Sequence, residues 1–313
     1  MSVARRHILK QGPAIGALGR TALSAIRQQI SNAPPPPMPA LPGPELQARF
    51  EPRPGDLVSD YIRHVGGDVG SYRGTVPAHL FPQWGFGLAG QAIANLPYPL
   101  ARVLNAGCRM QINSPIPANE PLQVRAWLES VDDDGRRALL QQRVITSTPS
   151  APEALVADMF VLVPLGGDKN AKTDGKANGK TNGKKPEKKA SPRVPSDARE
   201  LAFFKLGDDA GLDFAKLTGD FNPVHWVGGY ARAFGFRNVI LHGFGTMARA
   251  VEALNRGVLA GDVHALEHFE CRFTKPLVLP ARVGVYVHGD ELFVGDAPGG
   301  PAYLTGKFTR RKH

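Results

Sequence analysis

The sequence has little cysteine, few aromatic residues and no long uninterrupted apolar stretch. Only two of its 313 residues are cysteines, which excludes both a disulfide scaffold and a cysteine-rich zinc module. No stretch approaches the roughly 18 uncharged apolar residues that a membrane-spanning helix needs, so we expect no membrane span. Aromatic residues make up only 8% of the chain, but hydrophobic residues reach 42%, which is enough for a sizeable core. We therefore expect a reduced, intracellular protein of about two domains.

Acidic residues are absent from the first 44 positions, where five Lys or Arg residues precede a proline run at Pro34–Pro37. An acid-poor, arginine-bearing start resembles an organelle transit peptide. The alternative is a basic, proline-rich arm over residues 1–44 that packs on the surface, with one amphipathic helix over 15–30. We favour the arm and expect a cytoplasmic protein, with an organelle matrix as the alternative location.

The positive charge is concentrated in one segment. Residues 168–193 hold eight lysines and one arginine against three acids, which accounts for +6 of the net charge of +10. Because the segment has no aromatic or branched aliphatic residue, it cannot bury enough surface to offset the entropy lost on ordering. A nucleic-acid site would also need aromatic side chains on which bases stack. We therefore predict a flexible linker over residues 166–197 and no nucleic-acid partner.

The linker separates two bodies, 45–165 and 198–313, that share a pattern. Aligning Pro115 with Pro276 gives an offset of 161 residues, under which each body shows one long helix followed by strands of two-residue alternation. This pattern predicts a duplicated α+β fold, in which an antiparallel sheet wraps a long central helix in each repeat. The predicted helices cover about 83–95 and 243–255, and the predicted strands cover 103–113, 121–130, 137–148, 155–164, 264–274, 281–288, 291–296 and 302–310.

One loop of the second body collects groups suited to acid–base chemistry. A predicted helix is capped by Asp208 and broken by Gly219, and then Asp220, Asn222 and His225 follow within six residues. The proline after Asn222 prevents helix there and fixes an extended bend. A carboxylate, an amide and an imidazole held this closely can bind one water between a base and a second proton-handling group. The alternative is a capping aspartate and a buried, hydrogen-bonded histidine with no catalytic role.

Gly243 opens the second long helix. The first N–H groups of a helix have no intrahelical partner, and a glycine there lets a ligand oxygen approach closely. His242, which precedes it, is either a second catalytic group or a packed residue at the helix start. A base, a water and an oxyanion donor together favour addition to, or elimination from, an activated carbonyl compound.

These residues resemble a known family. The run Leu217–Thr–Gly–Asp–Phe–Asn–Pro–Val–His225, followed by His242–Gly243, is similar to the signature of the MaoC-like, hydratase-2 type acyl dehydratases, the (R)-specific enoyl-CoA hydratase family. The resemblance covers the second body closely and the first loosely, as the degenerate half of a double hot-dog protein. It implies reversible hydration of trans-2-enoyl thioesters of CoA or acyl carrier protein to (R)-3-hydroxyacyl thioesters in fatty-acid metabolism. It implies no metal and no separate cofactor, because CoA or the carrier enters with the substrate.

The resemblance also implies roles for four residues. Asp220 and His225 would activate the water, Asn222 would help orient it, and the Gly243 N–H would stabilise the enolate oxygen of the thioester. Attack at C3 builds charge on that oxygen, where one preorganised donor contributes about 3 kcal/mol.

Some positions depart from the family pattern. Val227 stands where many members carry a polar residue, and Val251 stands where some bacterial relatives place a serine, which leaves the rate and fine geometry open. In the first body, Pro82 aligns with Gly243 and has no N–H to offer. We therefore expect the first half to be catalytically silent and, as in double hot-dog relatives, to open a tunnel for longer acyl chains.

Other interpretations remain at this stage. On the same fold, a thioesterase would hydrolyse the thioester, and a non-catalytic acyl-thioester binding protein would leave the loop idle. Gly85–Gly90 matches the dinucleotide fingerprint, but no strand precedes it and no acid lies about 20 residues on, so we expect helix packing there instead. An acyl carrier protein and a second copy of the chain are candidate partners. The cations that could meet the phosphates of a CoA arm, or stay solvated, are Arg232, Arg237, Arg249, Arg272 and Lys275.

Overall fold

The computed structural model describes residues 3–11, 36–100, 103–165 and 191–312. The helix predicted over 15–30 and most of the predicted linker lie outside these ranges. The helices are α1 (Arg6–Leu9), α2 (Gly55–His64), α3 (Pro82–Ile93), α4 (Ala210–Thr218), α5 (Gly228–Ala233) and α6 (Gly243–Gly257). The strands are β1 (Leu46–Phe50), β2 (Thr75–Val76), β3 (Leu104–Ile112), β4 (Ile116–Pro117), β5 (Leu122–Asp133), β6 (Arg137–Ser147), β7 (Leu155–Pro164), β8 (Arg199–Leu206), β9 (Leu266–Phe273), β10 (Ala281–His288), β11 (Glu291–Gly295) and β12 (Ala302–Arg310). A search of the described helices finds none that is both long and apolar enough to cross a membrane.

Ten strands of the described ranges form one antiparallel sheet, in the order β1-β5-β6-β7-β3-β9-β12-β11-β10-β8. From the edge to the middle, the first half runs β1-β5-β6-β7-β3 and the second half runs β8-β10-β11-β12-β9, so each strand of one half has a counterpart in the other. The halves meet where β3 pairs with β9, and Cys108 lies opposite Cys271 at this seam. The sheet is therefore a duplicated unit joined about its centre.

The strands predicted from two-residue alternation are confirmed, and the observed bounds of β10 and β12 coincide with the predicted ones. The elements that were not predicted are the helices α1, α2 and α5, the short strands β2 and β4, and the two edge strands β1 and β8. Strand β8 lacks regular alternation of buried and exposed residues, which is why its pattern gave no strand signal.

The two long helices pack on this sheet and against each other's ends. Helix α3 contacts β5 and β6, whereas α6 contacts β8, β9 and β11 and is buried over most of its length. Phe244 of α6 meets Phe81 and Phe86 of the first half edge-to-face, with ring centroids 5.7 and 5.2 Å apart. Gly85 lies inside α3, where a Cβ would come within 3.2 Å of Val144, so the glycine run is used for helix packing. The predicted α+β architecture, with one long helix on an antiparallel sheet in each repeat, is confirmed.

A buried polar cluster joins the two halves beside α6; we call it the seam cluster, and it comprises Tyr61, Tyr72, His79, Glu252 and Asn255. Nε2 of His79 lies 3.0 Å from the Glu252 carboxyl group, and the Tyr72 hydroxyl donates to the same oxygen at 2.9 Å. The Tyr61 hydroxyl contacts Nδ1 of His79 at 2.9 Å, and the Asn255 amide donates to Tyr72 at 3.3 Å. A cavity of about 20 Å³ adjoins the cluster, which is room for about one water. Asn255 Oδ1 has no protein partner, so such a water would satisfy it.

The segment over residues 3–11 folds back onto helix α4. His7 is fully buried and bonds to Asp60 at 2.8 Å. The amide of Gln11 donates to the backbone carbonyls of Lys216 and Leu217 at 3.2 and 2.9 Å, and Gln83 of the first half donates to Gln11 at 3.1 Å. The last four carbonyls of a helix have no intrahelical partner. Gln11 therefore caps the end of α4 and ties it to the first half.

Replacing Gln11 by alanine is expected to destabilise the fold. The Gln11→Ala change leaves two buried carbonyls and the Gln83 amide without their partner, which should lower the free energy of unfolding by about 1–3 kcal/mol. Urea denaturation measures this. Gln47→Ala is the control, because Gln47 is exposed and its amide contacts only Glu45, so its effect should stay within about 0.5 kcal/mol. A Gln11→Ala effect no larger than that of the control would contradict the capping role.

Candidate active site

The candidate site begins where helix α4 ends. Gly219 adopts a left-handed conformation (φ 82°) and its N–H bonds to the Ala215 carbonyl, which ends the helix and turns the chain away. The predicted break at Gly219 is confirmed, but the predicted cap is wrong. Helix α4 begins one residue later than expected, after Asp209, and Asp208 instead accepts from the side-chain amide of Asn238 at 3.1 Å.

A short turn over Pro223–His225 then fixes the loop. Asn222 is exposed, and its Oδ1 accepts from the Val224 N–H at 3.2 Å, while the Asp220 carboxylate accepts from the Asn222 N–H at 3.3 Å. The amide oxygen of Asn222 is thus used to hold the turn. The role of Asn222 in orienting a water stays a prediction. Since its oxygen is used in the turn, the side-chain NH₂ group would be the one to contact the water.

His225 is held in one tautomer. Its Nδ1–H donates to the backbone carbonyl of Ile240 at 2.8 Å, which leaves Nε2 as a hydrogen-bond acceptor. Burial lowers the pKa of the His225 imidazole, and the neighbouring Asp220 carboxylate opposes that shift. A neutral imidazole with a free Nε2 beside a carboxylate is the form that a general base requires.

His242 forms the floor of the site. Its ring stacks on that of His225, with centroids 3.6 Å apart and planes 24° apart. Its Nε2–H donates to the backbone carbonyl of Asp220 at 2.9 Å, so the residue holds both members of the Asp–His pair in place. His242 is 2% exposed, and burial lowers its pKa to about 3. It makes no side-chain cap to α6, so it is a packed residue that positions its neighbours.

The assignment of Arg249 as a candidate for a CoA phosphate is wrong. Arg249 is 4% exposed and lies inside the fold, where it donates to the Gly245 carbonyl and to Nε2 of His64, both at 2.9 Å. Among the described residues it forms no ion pair, and burial lowers its pKa to about 10. Burial and the Arg249 charge together lower the pKa of His64 to about 3. Sequence reasoning missed this buried layer behind His242, although Arg249 stands in an apolar stretch of α6.

These buried imidazoles predict acid-sensitive stability. The pKa of His64 and of His242 is about 3 in the folded state, below the unfolded value of about 6.5. As the pH falls, protons therefore bind the unfolded chain first. The contribution of these histidines to the free energy of unfolding is complete above pH 6.5 and is lost as the pH falls toward 3. The loss is at most about 1.4 kcal/mol per pH unit for each histidine. Urea midpoints between pH 7 and 4 should show this slope, and it should be shallower in His242→Asn. His288→Asn, at an exposed histidine, is the control, and an equal slope in all three proteins would contradict the prediction.

Gly243 is the first residue of α6, as predicted. A Cβ at this position would lie 2.7 Å from the Phe273 ring, so only glycine fits between the helix start and β9. The first backbone bond within the helix runs from the Thr246 N–H to the His242 carbonyl, which leaves the Gly243 N–H free for a ligand. The helix start also carries a partial positive charge, which favours a developing oxyanion.

The same residues come close to a metal-ligand arrangement. Asp220, His225 and His242 each place one ligand atom within 4.8 Å of the others. The hydrogen bonds to Ile240 and to the Asp220 carbonyl occupy Nδ1 of His225 and Nε2 of His242, however. The Asp220 carboxylate and His225 Nε2 remain as possible ligand atoms, together with Nδ1 of His242, which is fully buried and has no hydrogen-bond partner among the described residues. The absence of a separate metal cofactor stays a prediction.

The first half has a different arrangement at the equivalent place. Pro82 is the first residue of α3, and the nearest counterpart of the loop, at Asp68, caps a short turn by accepting from the Gly70 N–H at 2.9 Å. Val251 is buried and Val227 half-buried, so both departures from the family pattern lie within packed surroundings. The silence of this half and the acyl tunnel stay predictions.

Comparisons with known proteins agree with this geometry. A family model described as a MaoC-like domain matches residues 179–292. The chain is 34% identical over 96 residues to 3-hydroxyacyl-thioester dehydratase X of Mycobacterium tuberculosis, covering 31% of each protein. It is 24% identical over 186 residues to the peroxisomal enoyl-CoA hydratase 2 of Arabidopsis thaliana, covering 59% of each. The chain thus spans less than two thirds of the length of these curated relatives.

Solved structures show the same fold. The crystal structure of HtdX from M. tuberculosis superposes with a TM-score of 0.66 at 20% identity, covering 86% of this chain and 100% of that one. Rv0216 of M. tuberculosis, described as having a double hotdog fold, superposes with a TM-score of 0.56 at 14% identity, covering 87% and 96%. Residues 179–292 are therefore similar to the MaoC-like domain, and the two halves of the chain share the double hot-dog fold of these structures.

Proposed function

We propose that this protein catalyses the reversible hydration of trans-2-enoyl thioesters to (R)-3-hydroxyacyl thioesters. The observation that carries the proposal is the fixed tautomer of His225. Its Nε2 is free to accept a proton and lies beside the Asp220 carboxylate and His242, the residue before α6. The relatives named as an enoyl-CoA hydratase and a 3-hydroxyacyl-thioester dehydratase support a hydro-lyase at the level of the family.

In the proposed reaction, Asp220 and His225 bind a water and take one of its protons. The water oxygen bonds to C3 of the substrate, and the electron pair of the C2–C3 double bond moves onto the thioester oxygen. The Gly243 N–H stabilises that oxygen. The acid–base pair then returns a proton to C2, so one water is added in total and no oxidant or reductant is consumed. Acid–base groups placed in this way accelerate a reaction by about 10² to 10⁴.

The site geometry assigns supporting tasks to the neighbouring residues. Ile240 fixes which nitrogen of His225 carries the proton, and His242 holds the ring of His225 and the backbone of Asp220 together. The buried His242 stays neutral, and the free-base form of His225 is favoured by the burial of its own ring.

The test is the loss of enoyl-thioester ultraviolet absorbance with crotonyl-CoA and with a longer trans-2-enoyl-CoA, with an (R)-specific 3-hydroxyacyl dehydrogenase to read the product. We expect absorbance loss with (R) product. Release of free thiol without hydration would replace the proposal by a thioesterase. Binding of the substrate with no turnover, either of these CoA thioesters or of the same acyl groups on a carrier protein, would replace it by an acyl-thioester binding protein.

A further inference from the structure

The surface next to the site carries an exposed row of aromatic side chains. Trp226, Tyr230 and Phe234 are 41%, 40% and 52% exposed, and they follow His225 at intervals of four residues. The Tyr230 and Phe234 rings stack on each other with centroids 4.6 Å apart. The indole N–H of Trp226 donates to the Phe221 carbonyl at 3.1 Å, which fixes that ring beside the loop. Singly exposed apolar residues are ordinary, but a stacked pair of exposed rings with a third exposed ring four residues before it, next to a candidate site, indicates an interaction surface.

The same surface carries two arginines. Arg232 and Arg237 are exposed, and among the described residues neither forms an ion pair. Between Asp220 and the buried Glu252 the chain contains no acidic residue. Asp208 approaches from the start of α4 and bonds to the Asn238 amide, so its carboxylate opposes part of this charge. The two arginines outnumber this carboxylate, and the surface therefore favours an acidic partner.

We propose that the docking face, defined as Trp226, Tyr230, Arg232, Phe234 and Arg237, binds an acidic carrier domain that presents the enoyl thioester on its phosphopantetheine arm. Aromatic residues and arginine are the types enriched at protein interfaces, and two stacked rings held in place lose little entropy on binding. This inference rests on the proposed function, because the docked domain would deliver its thioester to His225.

The extent of the docking face favours a protein over the nucleotide of free CoA. Tyr230 and Phe234 already present two stacked rings, and Trp226, which is bonded to Phe221 of the active loop, adds a third. One adenine base covers a single ring, so it would leave most of this apolar surface in water. A helix that carries both apolar and acidic side chains would cover the aromatic row and pair with the two arginines at once.

The test compares three thioesters of the same trans-2-enoyl group, on a bacterial holo acyl carrier protein, on CoA and on N-acetylcysteamine. The variants are the pair Tyr230→Ser with Phe234→Ser and the pair Arg232→Glu with Arg237→Glu. We expect each pair to lower the ratio of kcat/KM for the carrier thioester to that for the N-acetylcysteamine thioester by at least about tenfold. The wild-type ratio should also fall as NaCl is raised.

Matched controls lie on other surfaces. Phe203→Ser removes an aromatic that is 47% exposed on β8, and Arg136→Glu reverses an exposed charge in the turn between β5 and β6, and both should leave the ratio unchanged. If the variants lower kcat/KM for the CoA thioester, relative to the N-acetylcysteamine thioester, but not for the carrier thioester, the docking face binds a nucleotide instead. An unchanged ratio of kcat/KM for the carrier thioester to that for the N-acetylcysteamine thioester would overturn the proposal. Fluorescence anisotropy of labelled holo carrier measures docking without turnover. Hydration of none of the three thioesters would refute the proposed function, while the anisotropy would still decide the docking.

Discussion

His225→Ala and Asp220→Asn should each lower kcat for enoyl-thioester hydration by about 10³-fold, with KM changed only a few-fold. The alanine variant removes the Nε2 acceptor that faces the site, and the asparagine variant keeps the shape of Asp220 but removes its charge. Because both groups act on one water, the double variant should lose little more than either single variant. The loss of ultraviolet absorbance with crotonyl-CoA measures kcat and KM for the three variants.

The pH dependence of the same assay tests the role of His225 separately. Its pKa is lowered by burial, so the free base persists below the usual pKa of about 6.5. Wild-type kcat/KM should therefore hold below pH 6.5 and fall at still lower pH as His225 takes up a proton. Asp208→Asn is the matched control, because this exposed acid bonds only to Asn238 and should keep full activity. Wild-type rates in His225→Ala would remove this residue from the mechanism.

Glu252→Ala should be the most damaging single change to stability in the seam cluster. Removal of the carboxyl group takes the carboxylate partner from His79 and the Tyr72 hydroxyl inside the fold, and it leaves the Asn255 amide with Tyr72 as its remaining acceptor among the described residues. Burial and the Glu252 carboxylate raise the pKa of Tyr72 well above its ordinary value, so the hydroxyl stays protonated and needs an acceptor. Breaking a buried pair in this way costs about 3–5 kcal/mol.

Differential scanning calorimetry should therefore show a Tm lowered by roughly 10 °C for Glu252→Ala. Glu252→Gln keeps one acceptor oxygen of the same shape and should lose less. Glu291→Ala removes a surface carboxylate that pairs with Lys307 at 3.4 Å, and it should move the free energy of unfolding by less than about 0.5 kcal/mol. Equal Tm values for Glu252→Ala and Glu291→Ala would mean that the seam cluster adds nothing to stability.

Much of the fold could be predicted because its signals are local. Strand β12 alternates between buried and more exposed positions, so two-residue periodicity located its ends. In β10 the alternate residues Val283, Val285 and Val287 gave the same period, although Gly284 and Tyr286 between them are buried as well. Edge strand β8 mixes charged and aromatic residues and is paired only on one side, so its identity depends on β10, which lies far along the chain. Helix α2 does carry a local signal that sequence reasoning missed, because its buried residues recur at helical spacing, namely Leu57, Val58, Tyr61 and Ile62.

The candidate site was predicted as a loop, but its internal chemistry depends on distant contacts. Nothing near His225 in sequence indicates that Ile240 fixes its tautomer or that His242 stacks on its ring. Arg249 was misplaced because arginine is mostly exposed in proteins, and only the tertiary fold shows that His64 and Gly245 enclose it. Asn222 was predicted as a ligand of the water, whereas its oxygen first serves the turn that carries His225.

The pairing of β3 with β9 has a consequence for how the protein behaves on dilution. Two separate chains that share such a seam dissociate as their concentration falls, and a site built across them is lost by mass action. Here the two strands belong to one polypeptide, so the partner half is supplied at a fixed effective concentration. Dilution from micromolar to nanomolar protein should accordingly leave the β3–β9 pairing intact.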